Sequence, residues 1–276
     1  MESIIFILLP ISVLLMLGLV IVALFDVAFA GPKGAASAGH AQRDLPLLSG
    51  NALRQWASSR ARRVVAKYSK PPRKASTAVA LASEIEDLTN DIIATSVPWT
   101  LRGPMAQCDR SSRDTVSVSV PETLAMVESL RGRLSPRELK KIRSRAQKNA
   151  EWLAVKEQSE NSPIATVCPL LSHDGCCISY ESRPVFCRGH CTNYVGNEGG
   201  PAAANERPEV AFAAAVGQGI TDGLTEGLTA SGLDGQLYEL NRALVGALDS
   251  PDAAARWARG EVVLESCSPL HAAASN

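Results

Sequence analysis

Apolar residues are concentrated in one run near the start of the chain. From Ile4 to Phe25 there are 22 residues without a charged side chain. As an α-helix the run would be about 33 Å long, which is enough to cross the hydrocarbon core of a bilayer. We therefore predict a transmembrane anchor within residues 1–30. A cleaved signal peptide is the alternative, since Ala28-Phe29-Ala30 has the small residues of a cleavage site, but no Lys or Arg precedes the run.

Basic residues follow the apolar run and predict its orientation. Residues 31–75 contain ten Lys or Arg and one acid, Asp44. Positive charge close to a span stays on the cytoplasmic side, so we expect a single-pass protein of the inner (cytoplasmic) membrane with its C-terminal domain in the cytoplasm. We interpret residues 31–75 as a basic Pro/Ala-rich linker. Within it, residues 51–68 form a weakly amphipathic helical stretch that either lies on anionic lipid headgroups or is a solvated charged segment.

The remaining pattern predicts a mainly α fold, with a small helical domain over 76–260 and at most a short β element. Strict alternation over 116–120 (VSVSV) predicts one short strand. Ser135 and Glu138 form a capping box around Pro136, which predicts the start of a helix. We expect helices over 76–96, 135–155, 209–231 and 233–248, and a last one after Asp252. Pro121-Glu122 is predicted to open a further helix over 124–130. Residues 160–205 are expected to be irregular, and residues 261–276 to form a flexible tail.

Glycines in the stretch 209–231 have the spacing of a helix-packing face. They are Gly217, Gly219, Gly223 and Gly227, and the last three stand four residues apart. Small residues at this spacing permit the close approach of a second helix. Asp222 and Glu226 lie among them and argue against a second membrane span.

Charge is balanced over the whole chain but not along it. The 28 Lys and Arg equal the 28 Asp and Glu, yet residues 1–150 hold 21 basic and 12 acidic side chains, and residues 151–276 hold 7 and 16. This asymmetry argues against a uniformly basic nucleic-acid-binding protein. Aromatic residues, at 5%, leave few platforms for base stacking. We therefore expect no nucleic-acid partner.

The cysteines are the candidate chemistry of the chain. Five of the seven lie in the irregular segment 160–205: Cys168, Cys176, Cys177, Cys187 and Cys191. In a reducing compartment such thiolates more often bind zinc, iron or an iron–sulfur cluster than form disulfides. Asp174-Gly175 predicts a turn that folds the chain back between Cys168 and Cys177. The spacings are not those of a zinc finger, and thiols without a metal are the alternative.

Seven residues in this segment follow a distinctive order: Cys168, Cys177, Tyr180, Arg183, Pro184, Cys187 and Arg188. The order resembles the second half of the YkgJ-like cysteine-cluster family, a domain described as zinc- or iron-chelating. The similarity extends over about residues 99–260. The dense cysteine cluster in the first half of that family is reduced in this chain to Cys108.

The resemblance implies one metal site made of four thiolates, which would close a tetrahedral centre. Its ligands would be Cys108, Cys168, Cys177 and Cys187, with Cys176, His190 and Cys191 as less favoured candidates. Cys267, in the predicted tail, is interpreted as a spare thiol. We assign no catalytic residue.

Together these observations predict a membrane-anchored, cytoplasmic protein that binds zinc or iron. We expect it to be an accessory or metal-handling protein of the kind found in bacteria. Two alternatives stay open: an assembly or interaction subunit of a membrane complex with vestigial cysteines, and an iron–sulfur redox protein. An enzyme is the less favoured class, because the chain has no Gly-rich nucleotide loop at a strand–helix junction and no Ser/His/Asp arrangement with a clear local context.

Overall fold

A computed structural model describes residues 50–97, 115–157, 167–190, 208–264 and 269–270, all within the unit Pro46–Asn276. This part of the protein is mainly helical, as predicted. Its elements in chain order are α1 (Gly50–Tyr68), α2 (Ser76–Ala94), β1 (Ser117–Val118), α3 (Val120–Arg133), α4 (Pro136–Glu157), α5 (Val185–His190), α6 (Pro208–Ala230), β2 (Leu237–Glu239), α7 (Leu240–Asp249), α8 (Ala253–Ala258) and β3 (Pro269–Leu270).

The predicted helix starts agree with the observed ones where residues within a few positions of the start form the cap. The backbone N–H and the hydroxyl of Ser135 both donate to the Glu138 carboxylate, at 2.8 and 2.6 Å, and α4 begins at Pro136. The helix that Pro121-Glu122 is predicted to open begins at Val120, where Ser119 and Glu122 form a second capping box.

A small antiparallel sheet of order β1-β2-β3 replaces part of a predicted helix. The prediction of a helix from residue 233 is wrong at its start, since Leu237–Glu239 is a strand and the helix begins at Leu240. Val118 pairs with Tyr238, and Leu237 pairs with Leu270. Residues far apart in the chain supply both partners, so helical periodicity could not reveal the pairing. The sheet is consistent with the expectation of at most a short β element.

Helix α1 packs closely on α6, its most extensive partner. A Cβ placed on Gly219 or Gly223 would lie 2.9 or 2.8 Å from the Cβ of Ala57 or Ala61, and would also collide with the α1 backbone. The close helix packing predicted from the glycine spacing is confirmed. Two ion pairs flank the contact on its outer side, Arg54–Asp222 at 2.5 Å and Arg62–Glu226 at 2.9 Å.

This packing differs from what we expected of residues 51–68. The helix is present, but its small and apolar side chains Leu53, Ala57, Ala61 and Val65 are buried rather than facing lipid or water. A helix with low average hydrophobicity is buried here because the glycines of α6 leave room for its backbone. The core of the described domain therefore includes a segment that we interpreted as linker.

Helix α2 lies at the centre of the described domain. It contacts α1, α3, α5, α6 and α8. Leu81, Ile85 and Ile92 on this helix are at most 1% exposed, and Trp257 of α8 is fully buried. Each of the three aliphatic side chains contributes about 1.5–3 kcal/mol to folding through burial.

Within the described ranges no helix is both long enough and apolar enough to span a bilayer. The predicted anchor over residues 4–25 lies outside those ranges, as do most of the predicted tail and residues 31–49 of the predicted linker. The membrane anchor therefore stays a prediction.

Candidate functional site

The cysteine-bearing segment begins with the turn that the sequence predicts. Leu171 pairs with Cys177 in an antiparallel bridge. Gly175 turns the chain with φ of +85°, a conformation that glycine adopts without steric cost. The Ser172 hydroxyl donates to the Asp174 carboxylate, and this hydrogen bond is the main cause that lowers the pKa of Asp174. The turn is therefore stabilised by its own side chains.

Side chains of α4 hold the first strand of this hairpin. The Arg145 guanidinium donates to the Leu171 carbonyl at 2.9 Å, and the Asn149 amide donates to the Val167 carbonyl at 2.8 Å. Both contacts are to backbone, so they fix the path of the chain on either side of Cys168.

Glu122 joins the start of α3 to the start of α5. One carboxylate oxygen accepts from the backbone N–H and the hydroxyl of Ser119, at 2.8 and 2.7 Å. The other accepts from the backbone N–H of Val185 at 2.9 Å. Glu122 is only 3% exposed, and a negative charge at two helix N-termini is favourable. The carboxylate thus places the short helix that carries Cys187.

Arg188 clamps the second half of the segment to α2. Its guanidinium donates to the carbonyl oxygens of Arg183 and Glu181 and to the amide oxygen of Asn90, each at 2.8 Å. It also lies 3.4 Å from the Glu86 carboxylate. Four acceptors around one planar group explain why an arginine is suited to this position.

Arg188, these three acceptor groups and Glu86 together are called the Arg188 cluster. Within it, the Glu86 carboxyl group has a strongly raised pKa. Burial raises its pKa to about 8, the Arg188 charge opposes this shift, and Glu122 and Asp87 add to it. One of its carboxylate oxygens is buried and has no hydrogen-bond partner. Burial also lowers the pKa of Arg188, which Glu86 opposes. Below about pH 8 the buried carboxyl group therefore keeps its proton, and above that pH its negative charge is stabilised by Arg188.

The Arg-Pro step before α5 is also buried. Arg183 is 5% exposed, and its guanidinium lies 4.9 Å from the centre of the Tyr180 ring. The hydroxyl groups of Ser179 and Ser182 are 2.7 Å apart and buried. The arginines and the tyrosine of the sequence pattern thus contribute to the fold of the segment.

The described cysteines lie at the surface of this scaffold. Cys168, Cys177 and Cys187 are partly exposed, and Cys176 is exposed in the turn. Cys187 on α5 is near enough to Arg188 for its charge to be among the smaller causes acting on the pKa of that arginine, after burial and Glu86. The scaffold therefore leaves these thiols partly accessible.

The predicted ligands are only partly described. In the portions of the chain that the structure describes, no three His, Cys, Asp or Glu side chains form a group that could hold a metal ion. Cys108, Cys191 and Cys267 lie outside those portions, and the side chain of His190 does as well. The described residues alone do not make a metal site, and the four-ligand centre stays a prediction.

Sequence reasoning did not identify Glu86, Asn90 and Glu122 as part of the site. A signal for Glu122 exists, because Ser119-x-x-Glu122 has the spacing of a capping box. The sequence signal for Glu86 is weaker. This residue is the neighbour of Ile85, which lies on the buried apolar side of its helix. Its contact with Arg188 depends on the tertiary fold.

Comparison with family models, with curated proteins and with solved structures finds no match to this chain. The resemblance to the YkgJ-like cysteine-cluster family therefore stays a prediction that is based on the residues of the segment itself.

Proposed function

We propose that this chain is a non-enzymatic accessory protein, anchored in the inner membrane, whose cytoplasmic cysteine-bearing segment binds zinc or iron. The observation that carries the proposal is the shared accessibility of Cys168, Cys177 and Cys187, although these three side chains do not by themselves form a group that could hold a metal ion. All three are partly exposed on one short segment, whose backbone is held from the inside by Arg188 and Glu122. Thiolates are the ligands that zinc and iron–sulfur centres prefer.

Positive charge near the segment supports binding of a metal by thiolates. Cys187 lies beside Arg188 in α5, and Arg183 is buried four residues before it. Guanidinium groups favour the thiolate over the thiol, which is the form that binds a metal. Since no three described side chains form a site together, a four-ligand centre requires at least two donors from Cys108, Cys191 and His190.

The test is elemental analysis of the full chain, purified in detergent under reducing conditions. We expect about one zinc or iron ion per chain in the wild type, because four thiolates close one site. Cys177→Ser and Cys187→Ser should each lose most of that metal. Visible absorbance of the anaerobically purified protein separates an iron–sulfur cluster from colourless zinc.

Cys176→Ser is the matched control. Cys176 is the sequence neighbour of Cys177, but it is exposed in the turn and is a less favoured ligand. This variant should keep its metal. A wild-type chain that is folded and free of metal contradicts metal binding, and equal loss in all three variants contradicts the assigned ligands.

The Arg188 cluster favours a second candidate function, an assembly or interaction subunit whose cysteines are structural remnants. The cluster fixes the segment through hydrogen bonds that involve no metal. In that case Cys177→Ser and Cys187→Ser would leave the free energy of unfolding within about 0.5 kcal/mol of wild type. If the metal-binding proposal is correct, addition of a chelator should instead lower the unfolding temperature of the wild type.

A further inference from the structure

Helix α4 carries a row of basic side chains along its outer face. Only Ile142 and Ala146 of its described side chains are fully buried, and the opposite side of the helix faces solvent. We use the name α4 ridge for five exposed residues on that side of the helix, which are Arg137, Lys140, Lys141, Lys148 and Trp152. In the described part of the chain none of the four cations makes an ion pair.

The C-terminal end of the α4 ridge is apolar. Trp152 is 50% exposed, and Val167 is 53% exposed. The Asn149 side chain, one turn before Trp152, donates to the Val167 carbonyl at 2.8 Å, so both exposed side chains lie at the same end of α4. These are two of the three large apolar side chains that are exposed in the described residues. Cations next to an exposed tryptophan and an exposed valine form an amphipathic surface.

Neighbouring charges do not neutralise the α4 ridge. Arg143, on the flank, pairs with Asp249 at 2.5 Å, so this acid is already engaged. Glu151 lies next to Trp152 and accepts a hydrogen bond from Gln147 at 2.9 Å. Two acids, Glu138 and Glu151, are exposed on the same helix, and Glu138 interacts electrostatically with Lys141. Four cations against these two acids leave the ridge with a positive excess, which fits an anionic partner.

We propose that the α4 ridge docks on anionic lipid headgroups, with Trp152 and Val167 at the boundary between headgroups and acyl chains. This inference rests on the membrane part of the proposed function and is independent of the metal. Tryptophan is favoured at that boundary, and lysines and arginines near an anionic membrane surface are attracted to it.

A lipid surface fits the ridge better than other anionic partners. A single long helix with flexible cations matches a flat headgroup layer without a shaped groove. Nucleic acid is less suited, because Trp152 is the one aromatic side chain on the ridge and base stacking needs a platform. The predicted anchor would also keep the domain close to a bilayer at all times, which raises the local concentration of headgroups.

The experiment follows the fluorescence of Trp152 in the full chain, reconstituted into nanodiscs of phosphatidylcholine alone or mixed with phosphatidylglycerol. The difference between wild type and Trp152→Phe isolates the emission of this residue from that of the other three tryptophans. We expect a blue shift and quenching by brominated lipid in the anionic discs, both absent in neutral discs and reduced by salt.

Two triple variants test the residues. Lys140→Glu/Lys141→Glu/Lys148→Glu should abolish the shift in the anionic discs. The matched control, Arg63→Glu/Lys70→Glu/Lys74→Glu, makes the same charge change on exposed cations away from α4 and should keep it. Circular dichroism checks that both variants are folded.

Three results would overturn the inference: the same Trp152 emission in neutral and anionic discs, an equal loss of the shift in both triple variants, or a shift produced by duplex DNA but not by lipid. Failure of the membrane anchor is recognised separately. In that case the full chain stays in solution with neutral vesicles, and the ridge is tested by adding vesicles that contain phosphatidylglycerol to the soluble protein.

Discussion

The α1–α6 contact and the Arg188 cluster both bring opposite charges together from distant parts of the chain, but their surroundings differ. At Arg62–Glu226 the two side chains are 52% and 56% exposed, whereas at Arg188–Glu86 they are 6% and 9% exposed. Exposed ion pairs contribute about 0–1 kcal/mol to the free energy of unfolding, since water and salt screen the two charges. The buried pair differs, because below about pH 8 the Glu86 carboxyl group is protonated and the Arg188 guanidinium is held mainly by its hydrogen bonds.

The comparison shows that similar charge pairs have different roles. Between α1 and α6, small residues make the contact, and the charges only flank it. Where the cysteine-bearing segment meets α2, charged and polar side chains and their hydrogen bonds lie within the contact itself. The four predictions below test this difference, from the largest expected effect to the smallest.

The largest effect is expected from Arg188→Ala. The change removes the donor to two backbone carbonyls and to Asn90, and it leaves Glu86 buried beside no cation. We expect the free energy of unfolding to fall by about 3–5 kcal/mol, measured by denaturant titration, because three hydrogen bonds to a charged group are lost, each contributing about 1.5–3 kcal/mol when buried. Arg188→Lys should restore only part of the lost free energy of unfolding, because an ammonium group cannot make all the hydrogen bonds of the planar guanidinium. A loss below about 1 kcal/mol would show that the cluster is not needed.

Glu86 should make stability depend on pH. Its pKa is raised by burial to about 8 in the folded state, so the folded protein holds this proton more tightly than the unfolded chain. The resulting stability is present below the unfolded pKa of about 4.3 and is lost as pH rises through about 8. The free energy of unfolding should fall by up to about 1.4 kcal/mol per pH unit in this window.

Glu86→Gln provides the control for that pH dependence. The amide is neutral at every pH, so the slope between about pH 5 and pH 8 should become flatter than in the wild type. Unfolding curves at a series of pH values measure it. Parallel curves for the two proteins would contradict the assignment to Glu86.

Gly223→Ala tests the packing side of the comparison. The added Cβ would collide with the Ser58 carbonyl oxygen and lie 2.8 Å from the Ala61 Cβ, so α1 and α6 must separate. We expect a loss of about 1–3 kcal/mol in the free energy of unfolding. Gly132→Ala is the matched control, because it lies in helix α3 with open space around its Cβ position. It should raise stability by about 0.4–1 kcal/mol.

The smallest effect is expected from Arg62→Ala. This removes an ion pair in which both side chains are more than half exposed, and it leaves the glycine packing intact. The free energy of unfolding should change by no more than about 0.5 kcal/mol. A loss as large as that of Arg188→Ala would mean that charge, and not close packing, holds α1 on α6.

The sequence predictions were correct where the interacting residues are close together in the chain and were wrong where they are far apart. The capping box at Ser135 and the turn at Asp174-Gly175 involve residues within a few positions of each other, and both are present. The glycine spacing predicted a packing face, and this is confirmed. The burial of residues 51–68 was missed, because the complementary glycines lie more than 150 residues later in the chain.

The strand Leu237–Glu239 and the Arg188 cluster show the same limit. The tripeptide Leu237-Tyr238-Glu239 before a helix fits helical periodicity, and only its pairing with Ser117–Val118 and Pro269–Leu270 makes it a strand. Arg188 was recognised as part of the cysteine pattern, but its partners on α2 are about 100 residues away. The ligand assignment was not tested, since Cys108 lies outside the described residues.

By itself, the order of residues determined where most of the helices and the turn form, because those structures depend on contacts between near neighbours whose spacing can be counted. The tertiary structure decided which faces are buried and which charges are partners. Burial depends on which distant surfaces meet, and the energy of a charge depends on how much water remains around it. For that reason two arginines of the same chain, Arg62 and Arg188, are expected to differ so widely in what they contribute.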